Sequence, residues 1–376
     1  MPVPTVGVIG GGQLARMMVP AASALGVEIR VLAEAEGSSA RLAATAVGDY
    51  KDIPTVLDFA RGVDVVTFDH EHVPQEVLRA LTAESIAVHP GPDALIAAQD
   101  KLRMREMLAE LGAPIPEWAA VASPEQLQAF IDEHDGAAVL KTPRGGYDGK
   151  GVRIVTSGDQ TADWFAQFDQ LLVEERVDFR CELAQLGARR PSGELRVWDV
   201  VETVQRDGVC NEVYAPAPSA TPRMREVAAE IAKQVAEGLG ITGTFAVEMF
   251  ETSDDRLLIN ELAMRPHNSG HWTIDGSITS QFEQHLRAVL DWPLGATDAI
   301  AKHAVMANIL GGPQHEAITD RFAKVWRTHP AVKLHTYGKS ARPGRKVGHV
   351  TMIGDDLDEV VYQARAAAEL FNDLDN

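Results

Sequence analysis

Cysteine is nearly absent from the 376-residue sequence, which has only Cys181 and Cys210. Two cysteines cannot build a disulfide framework, and neither CxxC nor Cys/His spacing is present, so a reducing compartment is expected, with both thiols buried as small hydrophobes. Positive charge is also scarce. Against 54 Asp and Glu stand 35 Lys and Arg, a formal net charge of -19, and such a field repels polyanions, which excludes nucleic acid and anionic membranes as expected partners. No apolar run approaches the roughly 20 residues of a bilayer span. The apolar stretch at residues 3–9 has no basic residue before it, the first cation being Arg16, so a secretory signal is not expected and a soluble, cytoplasmic protein is. Low-complexity tracts and internal repeats are likewise missing.

What remains is ordinary globular composition, 45% hydrophobic and 24% charged, in a chain long enough for two or three domains at about 150 residues each. Residues 4–9, 13–25 and 28–32 read as strand, helix and strand around a GGG turn, and the short apolar run at 63–68 reads as an interior strand of a parallel sheet. A helical pattern at 93–111 ends in GAPIPEW, whose prolines and glycine mark a boundary. Short strands alternate with a helix over 115–185. Further on come strands near 194–204, a helix at 221–239, strands at 243–250 and 256–262 around ETSDD, and a last helix at 356–371. The expected fold class is therefore α/β and α+β, multidomain.

Four motifs carry chemistry. GGGQLA fits a dinucleotide fingerprint with Glu34 at the ribose-binding distance, but glycines before a helix N-terminus make an anion site for any phosphate, and a structural turn is a third reading. KTPRGGYDGKG, residues 141–151, has four glycines in the seven residues 145–151. Such a loop brings backbone N–H groups close to phosphate oxygens and can close as a lid, with Lys141 reaching a phosphate as a point charge. The ending of a Walker loop is absent.

Glu248, Asn260 and Glu261 interrupt the apolar strands of GTFAVEMF and LLINELA. Carboxylates there need a partner or a metal, and magnesium typically takes one or two plus substrate phosphates; an ion pair with Arg265 is the alternative. A four-residue loop at 252–255 would pair Glu251 with Arg256 and set both glutamates on one face, whereas a five-residue loop would set them on opposite faces. Finally KSARPGRK, residues 339–346, brings Lys339, Arg342, Arg345 and Lys346 to one turn, suited to an anion; a ligand-free surface loop is the alternative.

Taken together, GGGQLARMM, GGYDGKG, INELAMRPHNSGHWT with SQFEQHLRA, and RPGRKVGH resemble the ATP-grasp superfamily, and within it the ATP-dependent 5-(carboxyamino)imidazole ribonucleotide synthases of purine biosynthesis. The resemblance implies an ATP-grasp fold at residues 96–295 with a lid at about 115–180, preceded by a Rossmann-like domain at 1–95 and followed by a small domain at 296–376. It implies ATP and Mg2+, carboxylation of aminoimidazole ribonucleotide by bicarbonate through carboxyphosphate, and a homodimer. For ATP it points to Lys101, Lys141, Gly146, Tyr147, Asp148, Gly149, Lys150, Gly151, Val152, Glu174, Glu175, Arg176, Val177 and Glu182. Asn260 would assist at the phosphates, Gln205 at the adenosine end, and Glu248 and Glu261 would hold the metal. For the ribonucleotide it points to Gly12, Gln13, Leu14, Glu71, Tyr147, Asp148 and the 339–346 cations. Arg265, His267 and Asn268 would surround bicarbonate, and these three with Lys141 and Asp148 form the expected catalytic set. Lys101 stands where many members carry arginine, Gln205 where they carry histidine, and FDHEHVP replaces FEFENVP while keeping Glu71.

Overall fold

A computed structural model describes residues 3–146, 151–206, 208–313 and 315–372. Strands β1 (Thr5–Ile9), β2 (Glu28–Ala33), β3 (Ala44–Val47) and β4 (Val65–Phe68) form a parallel sheet in the order β3-β2-β1-β4. Every residue of β1 and β4 is buried, as the unbroken apolar runs require of central parallel strands. The glycine turn after β1 leads straight into the helix Gln13–Leu25.

The helical pattern at 93–111 resolves into two helices, Pro92–Gln99 and Lys101–Glu110. Asp100 breaks it: its backbone is extended, and its carboxylate accepts from the N–H groups of Leu102 and Arg103, capping the second helix. That break aims Lys101 at the next module. There β5 (Trp118–Val121), β6 (Ala138–Lys141), β7 (Val152–Val155) and β8 (Leu171–Glu175) make an antiparallel sheet, order β5-β8-β6-β7, backed by the helix Pro124–Glu133. The Pro143 carbonyl accepts from Lys101 N at 2.8 Å, tying the exit of β6 to the helix start.

The remaining strands are β9 (Phe179–Arg189), β10 (Leu195–Val197), β11 (Val201–Arg206), β12 (Val209–Ala215), β13 (Gly243–Thr252), β14 (Leu257–Ala263), β15 (His303–Leu310), β16 (Lys333–Thr336) and β17 (Lys346–Gly354). They form one sheet in the order β14-β13-β9-β11-β12-β15-β17-β16, with β10 paired to β9. Helices Pro222–Gly238 and Gln281–Val289 pack on it, and the first joins β13, β14 and the parallel-sheet module in a shared core. Cys181 and Cys210, expected to be buried, are half-buried. Among the described residues no helix is long and apolar enough to cross a membrane.

Candidate active site

The β13–β14 hairpin settles how two glutamates come together. Glu251 lies opposite Leu257, not Arg256, so the loop is the five-residue form, which by simple alternation separates Glu248 and Glu261. A bulge intervenes: Met249 pairs with Ile259, but Glu248 pairs directly with Glu261, leaving Asn260 as the extra residue. Ile259 therefore points into the core with Met249 while Glu261 faces the cleft beside Glu248. Two places along β9, Glu182 shares that face, since Ala184 pairs with Glu248 and Glu182 with Phe250. Gln205 on β11 hydrogen-bonds to Glu182.

Charge crowding on this face perturbs its carboxyls. Burial, then the charge of Glu248, pushes Glu182 up to about 7. Burial likewise raises Glu261, which the Lys101 ammonium at 3.9 Å counters and Glu248 reinforces. Burial opposes ionisation of Glu248 too, but the nearby His267, Lys346 and Arg265 outweigh it and hold the group low. A pair of oxygen donors carrying excess negative charge fits a magnesium ion that completes its shell with phosphate and water.

Lys141, at the end of β6, is buried and sits 2.6 Å from Glu174 Oε2 and 3.0 Å from Asn260 Oδ1. The sequence reading missed the group that organises this contact. Arg105, fully buried, bonds through Nε to Glu174 and through a terminal nitrogen to the Asn260 carbonyl at 2.8 Å. It occupies the same buried stripe as Met104 and Leu108, an arginine among core positions being the signal that could have revealed it. Burial disfavours the Glu174 carboxylate, yet Lys141 and Arg105 together keep it below its usual range. The ε-ammonium is thus held by a pre-formed carboxylate on one side and free to face the cleft on the other.

Arg265 directs Nε at Glu71 Oε2, 2.6 Å away, with both side chains buried. His267 Nε2 lies 3.0 Å from Glu248 Oε1, its Nδ1 2.9 Å from Ser269 Oγ. Lys339 Nζ reaches Gln13 Oε1 at 2.6 Å, joining the basic loop to the start of the first helix. The dinucleotide reading of that helix does not survive. Asp69 Oδ1 accepts from Ala15 N at 2.8 Å, and a Cβ on Gly12 would lie 1.8 Å from Asp69 Oδ2, so a carboxylate of the chain itself takes the place of the pyrophosphate. The hydrogen bond from His70, against the opposing effect of burial and aided by Gly11 N at 3.1 Å, holds Glu34 down to about 2.

One cleft of about 2290 Å³ collects these groups. Its lining includes Lys101, Lys141, Gly146, Val152, Glu174, Glu175, Arg176, Val177, Glu182 and Gln205, the residues expected at ATP. Glu248, Asn260, Glu261, Arg265, His267 and Asn268 line the same cleft. So do Gly12, Gln13, Leu14, Glu71, Lys339, Arg345 and Lys346. Gly151 and Arg342 are not part of the lining; the Arg342 side chain is exposed, and its carbonyl accepts from Arg345 N. Tyr147, Asp148, Gly149 and Lys150 lie outside the described residues.

Three family models match along the chain: a ribonucleotide synthetase preATP-grasp domain over residues 3–99, an ATP-grasp domain over 106–282, and a phosphoribosylaminoimidazole carboxylase C-terminal domain over 304–363. The N5-carboxyaminoimidazole ribonucleotide synthase of Mycobacterium tuberculosis is 48% identical over 373 residues, covering 97% of this chain and 87% of the relative. The crystal structure of the Thermus thermophilus synthetase superposes with a TM-score of 0.88 at 36% identity, covering 98% of this chain and 99% of that one. The Aspergillus clavatus enzyme, solved with ADP and 5-aminoimidazole ribonucleotide, gives a TM-score of 0.88 at 31% identity and 98% coverage of both. With nearly half its residues shared along almost its whole length, and with the preATP-grasp, ATP-grasp and C-terminal domains in order, the chain belongs to the N5-carboxyaminoimidazole ribonucleotide synthase family of ATP-grasp enzymes.

Proposed function

We propose that the chain is an ATP-dependent ligase that carboxylates the amine of 5-aminoimidazole ribonucleotide with bicarbonate, releasing ADP and phosphate. The observation that carries this reading is the continuity of the cleft. Lys141, Glu248 and Glu261, the Arg265–His267–Asn268 group, and Lys339, Arg345 and Lys346 all line that one cleft, which supports ATP, bicarbonate and the ribonucleotide meeting in it.

Bicarbonate is a poor electrophile, so an oxygen of it first attacks the γ-phosphorus of ATP, breaking the bond to ADP and forming carboxyphosphate. Lys141, fixed by Glu174 and Asn260, neutralises charge on the transferring phosphoryl group. Glu248 and Glu261 would hold magnesium, which supplies charge neutralisation at the nucleotide phosphates. Arg265, oriented by Glu71, holds the bicarbonate with His267 and Asn268. Cleavage of the C–O bond then yields carbon dioxide and inorganic phosphate, and the substrate amine attacks the carbon, losing its proton as the carbamate forms. Lys339, Arg345 and Lys346 hold the ribonucleotide phosphate. The glycine loop, with Tyr147 and Asp148, excludes water while the intermediate exists, the role the family resemblance implies. That resemblance also supports a cytoplasmic homodimer.

The test is carbon-13 NMR of the product made with labelled bicarbonate or labelled formate. A labelled carbamate from bicarbonate alone is expected; label from formate alone would assign the chain to transformylase chemistry instead.

A further inference from the structure

Asn308 on β15 is 5% exposed and belongs to none of the motifs that the sequence singles out. Its lateral neighbour is His349 on β17, whose own neighbour is His335 on β16, so three polar side chains form one row across three strands. Each grips the stretch after His267. His349 stacks on His271 with centroids 5.1 Å apart, and His335 Nε2 lies 2.7 Å from Asp275 Oδ2. Asn308 meets Asn268, the one of the three gripped residues that lines the cleft.

The contact is a reciprocal amide pair. Asn268 Nδ2 donates to Asn308 Oδ1 at 3.1 Å, and Asn308 Nδ2 donates to Asn268 Oδ1 at 2.8 Å. Such a pair alone is self-consistent in two states, because turning both amides over exchanges every donor for an acceptor. The second N–H of Asn308 breaks the tie by donating to the Cys210 carbonyl at 2.9 Å, a group that only accepts. Cys210 thereby fixes which end of Asn308 is nitrogen, and Asn308 fixes which end of Asn268 is nitrogen. One N–H of Asn268 is used by Asn308, and the other remains for the cleft.

We propose that Asn308 is a positioning residue: anchored on the Cys210 carbonyl, it locks the Asn268 amide so that an N–H is available to bicarbonate. The inference rests on the assignment of Asn268 to the bicarbonate end in the proposed function.

The test places Asn308→Ala and Asn308→Leu in the full chain, each in the native and the Asn268→Ala backgrounds, with folding checked by thermal melts. Initial rates then give kcat/KM for bicarbonate and KM for ATP. A drop of about tenfold or more in the bicarbonate value is expected in the native background, with the ATP KM within about twofold and no further drop once Asn268 is alanine. Equal losses in both backgrounds, or no loss in the native one, would overturn the proposal. The leucine variant, which keeps the side-chain volume, carries the comparison if the alanine variant does not fold. Absence of bicarbonate-dependent ADP release in the unmutated chain would instead overturn the proposed function.

Discussion

Replacing Glu182 with glutamine should stabilise the ligand-free protein at alkaline pH and leave it nearly unchanged in acid. The carboxyl lies between the cleft and the sheet, near Glu248, and its pKa rises from 4.5 to about 7. Between those values the folded chain keeps the proton and the unfolded chain has released it, so stability falls as pH rises through this window. The displacement corresponds to about 3 kcal/mol; because part of the group meets cleft water, about 2 kcal/mol is the expected measured difference. Glutamine keeps the shape and does not titrate. Urea unfolding of both proteins at about pH 5 and about pH 8 should therefore show the variant gaining about 2 kcal/mol on the wild type between the two conditions. Magnesium with ADP, by neutralising Glu248, should shrink that gain. An equal stability difference at both pH values refutes the reasoning.

Glu261→Ala should lower phosphate release from ATP about 100-fold or more, because it removes half of the carboxylate pair formed across the bulge; near-native turnover would remove Glu261 from the metal assignment. Arg345→Ala should raise the ribonucleotide KM about tenfold with the ATP KM little changed, read from initial rates with each substrate varied. Arg105→Met should destabilise the fold by about 3 kcal/mol, since it takes one of two cationic partners from the buried Glu174, leaving Lys141 alone, and removes the donor to the Asn260 carbonyl. The Arg105→Met, Glu174→Met double variant should lose less than the sum of the single losses, and strict additivity in urea unfolding would contradict the coupling.

Local patterns made much of the scaffold legible. The apolar run of β1, the glycine turn and the amphipathic first helix are properties of neighbouring residues, and the helix forms over Gln13–Leu25 as its spacing predicts. The glycine loop begins where the strand AVLK ends, at Lys141. Features made by distant partners were not legible. Asn260 becomes a bulge because Glu248 and Met249 on another strand require it, and without that shift Glu261 would join Ile259 in the core. Asp100 splits one helical pattern in two by using its side chain as a cap, a choice that periodicity does not register. Arg105, Asp69 and Asn308 act through residues 69, 54 and 40 positions away, so their burial follows only from the assembled fold. The glycine turn was legible as a turn, but not the carboxylates that distant residues bring to it: Glu34 accepts from Gly11 N, and Asp69 accepts from Ala15 N in the first turn of the helix.

The most direct test of the account is the initial rate of ADP release in the presence of magnesium and ATP, with 5-aminoimidazole ribonucleotide and bicarbonate supplied together and each omitted in turn. Rapid release is expected only when both are present. Equally fast release with either one missing, or with formate in place of bicarbonate, would contradict it.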